Sequence, residues 1–105
     1  MDLVEKVYLI TKAYPSEEKF GLISQIQRSA VSIPSNIAKG AGRNSNKEFR
    51  HFLSIANGSL NELLTQLLIA TRIGYSNKNE LEEVFNLINE IQKMNFSLIN
   101  KFSNI

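Results

Sequence analysis

Apolar residues recur at helical spacing along four stretches of the chain, and short polar segments separate these stretches. In the first stretch, Leu3, Val7 and Ile10 lie three or four residues apart, with charged residues between them. This spacing places the apolar side chains on one face of an α-helix. It predicts a short amphipathic helix over residues 2–13. Pro15 ends it, because a proline pushes the preceding residue out of helical dihedral angles.

The second stretch predicts one helix over residues 17–41, with Ser16 as its N-cap. Gly21 near its start and Pro34 in its interior oppose this, since an internal proline removes a backbone hydrogen bond and usually kinks the axis. A split at Pro34 is the alternative. The apolar period keeps its phase across the proline, so we expect one kinked helix that ends at two glycines. Its expected inward residues are Phe20, Ile23, Ile26, Ala30, Ile33 and Ile37.

The third helix has a clear start signal. The segment Ser45-Asn46-Lys47-Glu48 fits a capping box, in which the side chains of the first and last residues accept hydrogen bonds from each other's amides. A helix is predicted over residues 46–73, ended by Gly74. Asn57-Gly58-Ser59 is a common turn sequence, but the apolar period continues through it. We therefore interpret Gly58 as a point of close helix contact inside one helix.

A second capping box, from Asn77 to Glu80, begins a fourth helix over residues 78–103. Because the connections between the helices are short, consecutive helices should lie antiparallel. The sequence therefore predicts an all-α fold, an antiparallel up-down four-helix bundle, with residues 1–105 as a single domain. Some apolar positions widen the stripe of the fourth helix beyond what one bundle needs, namely Leu87, Met94 and Ile99.

Composition excludes several classes of function. The chain of 105 residues contains no cysteine, which rules out disulfides, thiolate zinc sites and cysteine nucleophiles. No apolar run approaches the roughly 20 residues of a membrane span. The charged N-terminal segment lacks the apolar core of a signal peptide. We expect a cytoplasmic protein that makes no membrane contact.

Positive charge is concentrated in the middle of the chain, although the net charge is only +2. Residues 28–50 carry five cations and one carboxylate, Glu48. The cations are Arg28, Lys39, Arg43, Lys47 and Arg50. We expect all five to contact the phosphates of RNA or DNA. The last four flank the predicted turn between the second and third helices, so we expect them to lie close together. The alternative is a solvated surface or salt bridges to a neighbouring subunit, because no aromatic platform accompanies these charges.

His51 is the single histidine and would need partners to act as a catalytic base. A helical ribonuclease that uses an Arg–His pair would need Arg43 or Arg50 beside His51. Arg50 is adjacent in sequence and therefore points away from His51 on a helix, and Arg43 lies outside the predicted helix. Glu48 stands three residues before His51, but a di-iron bundle needs this motif twice. The sequence therefore predicts no catalytic residue, no metal ligand and no cofactor.

Residues 25–43 carry the sequence Gln-Ile-Gln-Arg-Ser-Ala-Val-Ser-Ile-Pro-Ser-Asn-Ile-Ala-Lys-Gly-Ala-Gly-Arg. This segment resembles the signature of the 23S rRNA intervening-sequence protein family, also described as four-helix bundle proteins. The resemblance continues to Gly74-Tyr75 at the end of the third helix. Gln27 stands where the family usually has arginine, and Lys39 stands where it usually has glutamate. The placement of positive charge therefore differs from the family pattern.

The resemblance implies an antiparallel four-helix bundle that assembles as a ring-like homopentamer and has no established catalytic activity. Some members are encoded inside intervening sequences of bacterial 23S rRNA genes, and related accessory proteins of retroelements bind nucleic acid and a reverse transcriptase. We therefore expect a non-catalytic, oligomeric accessory protein that binds nucleic acid. The alternative is a scaffold ring that recruits a protein partner without nucleic acid. The surplus apolar positions of the fourth helix, with Tyr8 and Tyr75, are the expected subunit interface.

Overall fold

The computed structural model describes residues 2–103. Its elements are α1 (Asp2–Thr11), a 3-10 turn (Ser16–Glu18), α2 (Leu22–Ala41), α3 (Asn46–Arg72) and α4 (Lys78–Ser103). The described residues form no strand. Consecutive helices pack against each other, and α1 also packs against α4. The predicted all-α four-helix bundle is confirmed, with α1 ending two residues before its predicted end.

The start of the second helix differs from the prediction. Ser16–Glu18 form a 3-10 turn, and α2 begins only at Leu22, so Ser16 does not cap it. Phe20, which we expected to face inward, is 90% exposed. The reason is Gly21, whose ψ of −109° is far from the helical value. The residues before it therefore do not share the helical phase of α2.

The second helix continues unbroken through Pro34, as predicted. The proline has no amide hydrogen, so a carbonyl one turn earlier loses its partner. Two nearby side chains bind other carbonyls: the hydroxyl of Ser32 donates to the carbonyl of Ser29 at 2.9 Å, and the side-chain amide of Asn36 donates to the carbonyl of Ser32 at 2.8 Å. The Ser32 hydroxyl also forms a 2.7 Å hydrogen bond with the hydroxyl of Ser59, which joins α2 to α3.

Side chains and one glycine set the ends of α3 and α4. The amide of Glu48 donates to the hydroxyl of Ser45 at 3.1 Å, which confirms Ser45 as the N-cap of α3. The amide of Glu80 donates to the side-chain oxygen of Asn77 at 2.9 Å, and the amide of Asn77 donates back to the Glu80 carboxylate at 3.4 Å. Gly74 ends α3 with a φ of 90°, a left-handed conformation that favours glycine.

The close contact between helices lies at Gly40 rather than at Gly58. The third helix continues through Gly58 as predicted, but a Cβ atom there would meet no heavy atom within 4 Å. A Cβ atom on Gly40 would lie 2.8 Å from the Cβ of Phe52 and 3.0 Å from Cδ1 of Phe49. Our interpretation of Gly58 is therefore wrong, because this residue lies on the exposed face of α3.

The first helix covers only one end of the bundle. Its 10 residues span about 15 Å, whereas the 27 residues of α3 span about 40 Å. We call the part that α1 covers the α1 end (residues 2–34 and 60–91). The rest, which contains the connection between α2 and α3, is the turn end (residues 35–59 and 92–103). The turn end is therefore built from three helices.

The two ends also differ in their interiors. The main buried cluster is apolar and consists of Leu3, Val7, Ile10, Tyr14, Ile26, Ala30, Ile33, Leu60, Leu63, Leu67, Ala70, Val84 and Ile88. At the turn end, two buried amide side chains join α3 to α4: Nδ2 of Asn95 donates to Oδ1 of Asn57 at 2.8 Å. The other two polar atoms of this pair, Nδ2 of Asn57 and Oδ1 of Asn95, have no partner among the described residues.

Candidate nucleic-acid interface

The five predicted phosphate contacts are largely accessible. Arg28, Lys39, Arg43 and Lys47 are exposed, and Arg50 is half-buried. Within residues 2–103 the only ion pair joins Lys6 to Glu83, at the α1 end. The five cations therefore form no salt bridge with any described carboxylate. Their charges are available to an anion in solution.

Three of these cations lie in or next to the connection between α2 and α3. Lys39 is in the last turn of α2, Arg43 lies in the connection itself, and Lys47 is in the first turn of α3. Arg50 follows one helical turn after Lys47 on α3. We call Lys39, Arg43, Lys47 and Arg50 the turn cluster. These four residues thus flank one connection along the chain.

Two arginines of the turn cluster also bind parts of the fold. The guanidinium of Arg43 lies 5.1 Å from the ring centre of Phe52, within range of a cation–π contact. Nη1 of Arg50 donates to the backbone carbonyl of Phe102 at 2.6 Å, which ties the end of α4 to α3. The rings of Phe49 and Phe102 pack edge to face, with centres 5.3 Å apart. The aromatic rings here are therefore occupied by packing.

A shallow groove of about 320 Å³ opens beside the turn cluster. Its lining includes the guanidinium-bearing Arg43 and the polar side chains of Asn44, Ser45 and Asn46. Arginine and side-chain amides donate hydrogen bonds to phosphate oxygens. The groove thus adds neutral donors to the positive charge of the turn cluster.

Arg28 does not belong to the turn cluster. It lies eleven residues before Lys39 on α2, which corresponds to about 16 Å along the helix. It lines a different groove, of about 700 Å³, together with Tyr8 of α1 and the residues Lys19 and Phe20 that precede α2. Nothing in the sequence groups these four residues, because Tyr8 and Phe20 come together only when α1 packs against α2.

His51 lies near the turn cluster but has no assembled acid–base partner. It is exposed, and its ring packs edge to face on Phe52 with centres 5.5 Å apart. No side-chain hydrogen bond within residues 2–103 involves it. Glu48, three residues earlier, is instead close to the hydroxyl of Ser45 in the capping box.

The tyrosines near the connection between α3 and α4 hold the α1 end together. The hydroxyl of Tyr75 donates to the carboxylate of Glu18 at 3.0 Å, and this hydrogen bond raises the pKa of Tyr75. The ring of Tyr75 lies 5.5 Å from that of Tyr14, whose hydroxyl forms a hydrogen bond with Ser76. Burial raises the pKa of Tyr14. Tyr75, an expected interface residue, thus makes contacts within its own chain.

Two further properties of residues 2–103 bear on the possible chemistry. No three acidic or histidine side chains lie together as a set of metal ligands. No helix of this part of the chain is long and apolar enough to cross a membrane.

Comparison with known proteins gives a consistent family. A family model described as 23S rRNA-intervening sequence protein matches residues 1–97. A crystal structure from Bacteroides thetaiotaomicron, described as a protein with unknown function from the S23 ribosomal protein family, is 30% identical in sequence. The match covers 92% of this chain and 90% of that chain, with a TM-score of 0.81. None of the curated proteins matches the chain.

Proposed function

The chain belongs to the 23S rRNA-intervening sequence protein family, and from this we propose that it is a non-catalytic accessory protein that binds nucleic acid as a homo-oligomer. The observation that carries the proposal is the turn cluster, in which four cations lie around one connection without a salt bridge to a described carboxylate. We place this activity in the bacterial cytoplasm, with no cofactor.

Phosphate contacts from such a cluster make binding dependent on salt. Each cation that neutralises a phosphate releases a counterion, so the logarithm of the binding constant falls with the logarithm of salt concentration by about 0.9 per contact on duplex DNA. Lys39, Arg43 and Lys47 are exposed and can supply such contacts. A ring of identical subunits repeats the cluster, and linked weak sites raise the overall affinity.

Self-association is supported by the exposed face of α4. Phe85 and Phe96 lie eleven residues apart, about three helical turns, and therefore share a face. They are 41% and 56% exposed. We propose that this face contacts a second copy, and that the assembly is the homopentamer implied by the resemblance. Light scattering tests it: the wild type should exceed the mass of one chain, and Phe85→Glu with Phe96→Glu should reduce it. A single-chain mass at high concentration would contradict the proposal.

The experiment for nucleic-acid binding compares matched charge variants over a salt series. The test variant changes Lys39, Arg43 and Lys47 to glutamine and keeps Arg50, because that side chain binds the carbonyl of Phe102. The control changes three exposed lysines elsewhere to glutamine, namely Lys12, Lys78 and Lys93, and so removes the same charge. A further variant adds Arg50→Gln.

We expect the wild type to bind RNA and DNA at low salt. The test variant should bind more weakly, with a salt slope reduced by up to about 3, since each lost phosphate contact lowers the slope by about 1. The control should keep the wild-type slope. No binding by the wild type at low salt, or an equal loss in the control, would contradict a phosphate site at the turn cluster.

The second candidate function is a scaffold ring that recruits a protein partner without nucleic acid. An exposed apolar group near the end of α3 favours it: Leu68, Ile69 and Ile73 are all exposed. Contiguous exposed apolar surface is typical of protein–protein contacts. An oligomer that fails to bind any nucleic acid at low salt would favour this function over the first.

A further inference from the structure

A second groove, separate from the turn cluster, combines aromatic and basic side chains. It has a volume of about 700 Å³ and lies where α1 packs beside the start of α2. Tyr8, Phe20 and Val31 supply its apolar lining, while Lys19 and Arg28 supply charge. This is the aromatic platform that the sequence did not reveal beside the basic residues.

The two rings of this groove are open to solvent. Phe20 is 90% exposed and Tyr8 is 41% exposed. Single exposed apolar residues are common on protein surfaces, but exposed apolar residues that share one concave surface are typical of a binding site. The ammonium of Lys19 lies over the ring of Phe20, 5.6 Å from its centre, yet Phe20 remains 90% exposed. The ring is thus open to solvent on the side that Lys19 does not cover.

The charge of the groove is positive. Its lining contains Lys19 and Arg28 and no carboxylate. The neighbouring Glu18 is engaged elsewhere: one of its oxygens accepts from the amide of Leu22 at 3.4 Å, and the other accepts from the hydroxyl of Tyr75 at 3.0 Å. An anionic ligand thus meets two cations and no carboxylate in the groove lining. Glu18, the nearest acidic residue in the chain, uses both of its carboxylate oxygens in hydrogen bonds within the fold.

Exposed rings beside cations suit unpaired nucleotides. Proteins that bind single strands combine a basic groove for the phosphates with aromatic rings on which successive bases stack. The bases of a duplex already stack on each other, so their faces are not available to a ring. An apolar peptide would leave both cations without a partner, whereas a single strand offers a phosphate for each.

We propose that this groove binds unpaired nucleotides of single-stranded RNA or DNA, with bases stacked on Phe20 and Tyr8 and phosphates held by Lys19 and Arg28. The inference rests on the proposed function and adds a preference for single strands to it. The turn cluster supplies charge for any nucleic acid, and the groove distinguishes unpaired from paired bases.

The test measures the affinity of the full chain for oligouridylate and oligothymidylate, and for a duplex of the same length. Phe20→Ala should weaken single-strand binding about tenfold, since each stacked base contributes about that much. It should leave duplex binding unchanged. Phe20→Trp should restore single-strand binding, and its fluorescence should be quenched by the bound base. Tyr8→Ala with Phe20→Ala should weaken binding further.

The control variant is Leu9→Ala, an exposed apolar residue next to Tyr8 that does not line the groove. It should bind single strands like the wild type. Phe20→Ala alone is sufficient for the test if the Tyr8 change disturbs folding, because Phe20 is almost fully exposed. Thermal melting by circular dichroism checks that each variant is folded.

The outcomes separate this inference from the proposed function. Suppose that the wild type binds single strands, that the three-residue turn-cluster variant loses this binding, and that Phe20→Ala keeps it. The groove proposal is then wrong, and the proposed function stands. Equal wild-type affinity for single strands and duplex would also overturn the groove proposal. If the wild type binds no nucleic acid, both fail. In that case a lower oligomer mass of Phe20→Ala would assign the groove to contact with a second copy.

Discussion

The aromatic rings at the two ends of the bundle are used in different ways. At the turn end, Phe49 packs on Phe102 with ring centres 5.3 Å apart, and Arg43 lies over the ring of Phe52. At the α1 end, Phe20 and Tyr8 remain exposed beside a groove. Both ends carry cations that form no salt bridge with a carboxylate of residues 2–103. The turn cluster therefore presents charge beside rings that are packed within the fold, whereas the groove at the α1 end presents charge together with exposed aromatic rings.

The interiors differ in a corresponding way. The α1 end is filled mainly by apolar side chains from four helices, although it also buries Gln66, whose Oε1 has no partner within residues 2–103. The turn end buries the amide pair of Asn57 and Asn95 between α3 and α4. Each buried polar atom without a partner costs about 1–3 kcal/mol. The amide pair leaves two such atoms within the described residues. The turn end thus carries a larger cost from unpartnered polar atoms than the α1 end, which has one, and close packing of α2 on α3 offsets it.

The largest effect that we expect on stability comes from Gly40, at the closest approach of α2 to α3. Gly40→Ala would place a Cβ atom 2.8 Å from the Cβ of Phe52, an atom next to the backbone that cannot move aside by itself. The two helices must separate, which costs about 1–3 kcal/mol. Chemical denaturation should show a lower free energy of unfolding.

The matched change is Gly58→Ala, in the interior of α3. A Cβ atom there meets nothing within 4 Å, and alanine favours a helix over glycine by about 0.5–1 kcal/mol. This variant should unfold at a higher denaturant concentration than the wild type. If both alanine variants gain stability, the close approach at Gly40 does not limit packing at the turn end.

These two glycines also show how much of the fold the sequence could predict. Apolar periodicity and capping boxes predicted four helices and the caps at Ser45 and Asn77, because both signals are local. The same periodicity could not tell which glycine faces a neighbouring helix, since that depends on how α2 and α3 pack. The position of Phe20 was predicted wrongly because the irregular backbone at Gly21 shifts the helical phase.

The candidate site was predicted only in part, for a similar reason. The turn cluster is local, since its four residues flank one short connection along the chain. Arg28 was grouped with them by sequence distance, although it lies about 16 Å from Lys39 along α2. The partners of Arg28 in its groove, Tyr8 and Phe20, are twelve residues apart in the chain. Only the packing of α1 on α2 brings them together.

The smaller stability effect that we expect tests the α1 end through Tyr14. Burial raises the pKa of Tyr14 above its usual value of 10.0, and its hydroxyl forms a hydrogen bond with Ser76. A raised pKa in the folded chain means that the folded state holds this proton more tightly than the unfolded state. The corresponding stability is fully present below pH 10 and is lost as the pH rises through the pKa of the folded state.

Tyr14→Phe should therefore have two effects. At neutral pH it loses the hydrogen bond to Ser76, which costs about 0.5–1.5 kcal/mol. Above pH 10 its stability should fall less steeply than that of the wild type, because one of the groups linked to unfolding is gone. Tyr75 remains in both proteins, and its raised pKa adds the same slope to each.

Denaturation curves from neutral pH to above pH 10 distinguish these contributions, because every other titratable group is the same in both proteins. Tyr8→Phe is the matched control, since its hydroxyl has no hydrogen bond within residues 2–103 and it should follow the wild-type curve. If Tyr14→Phe runs parallel to the wild type at every pH, the Tyr14 hydroxyl is not desolvated in solution. The contact between Tyr14, which follows α1, and the connection between α3 and α4 would then be looser than in the structure. The α1 end would no longer be the more tightly packed part of the bundle.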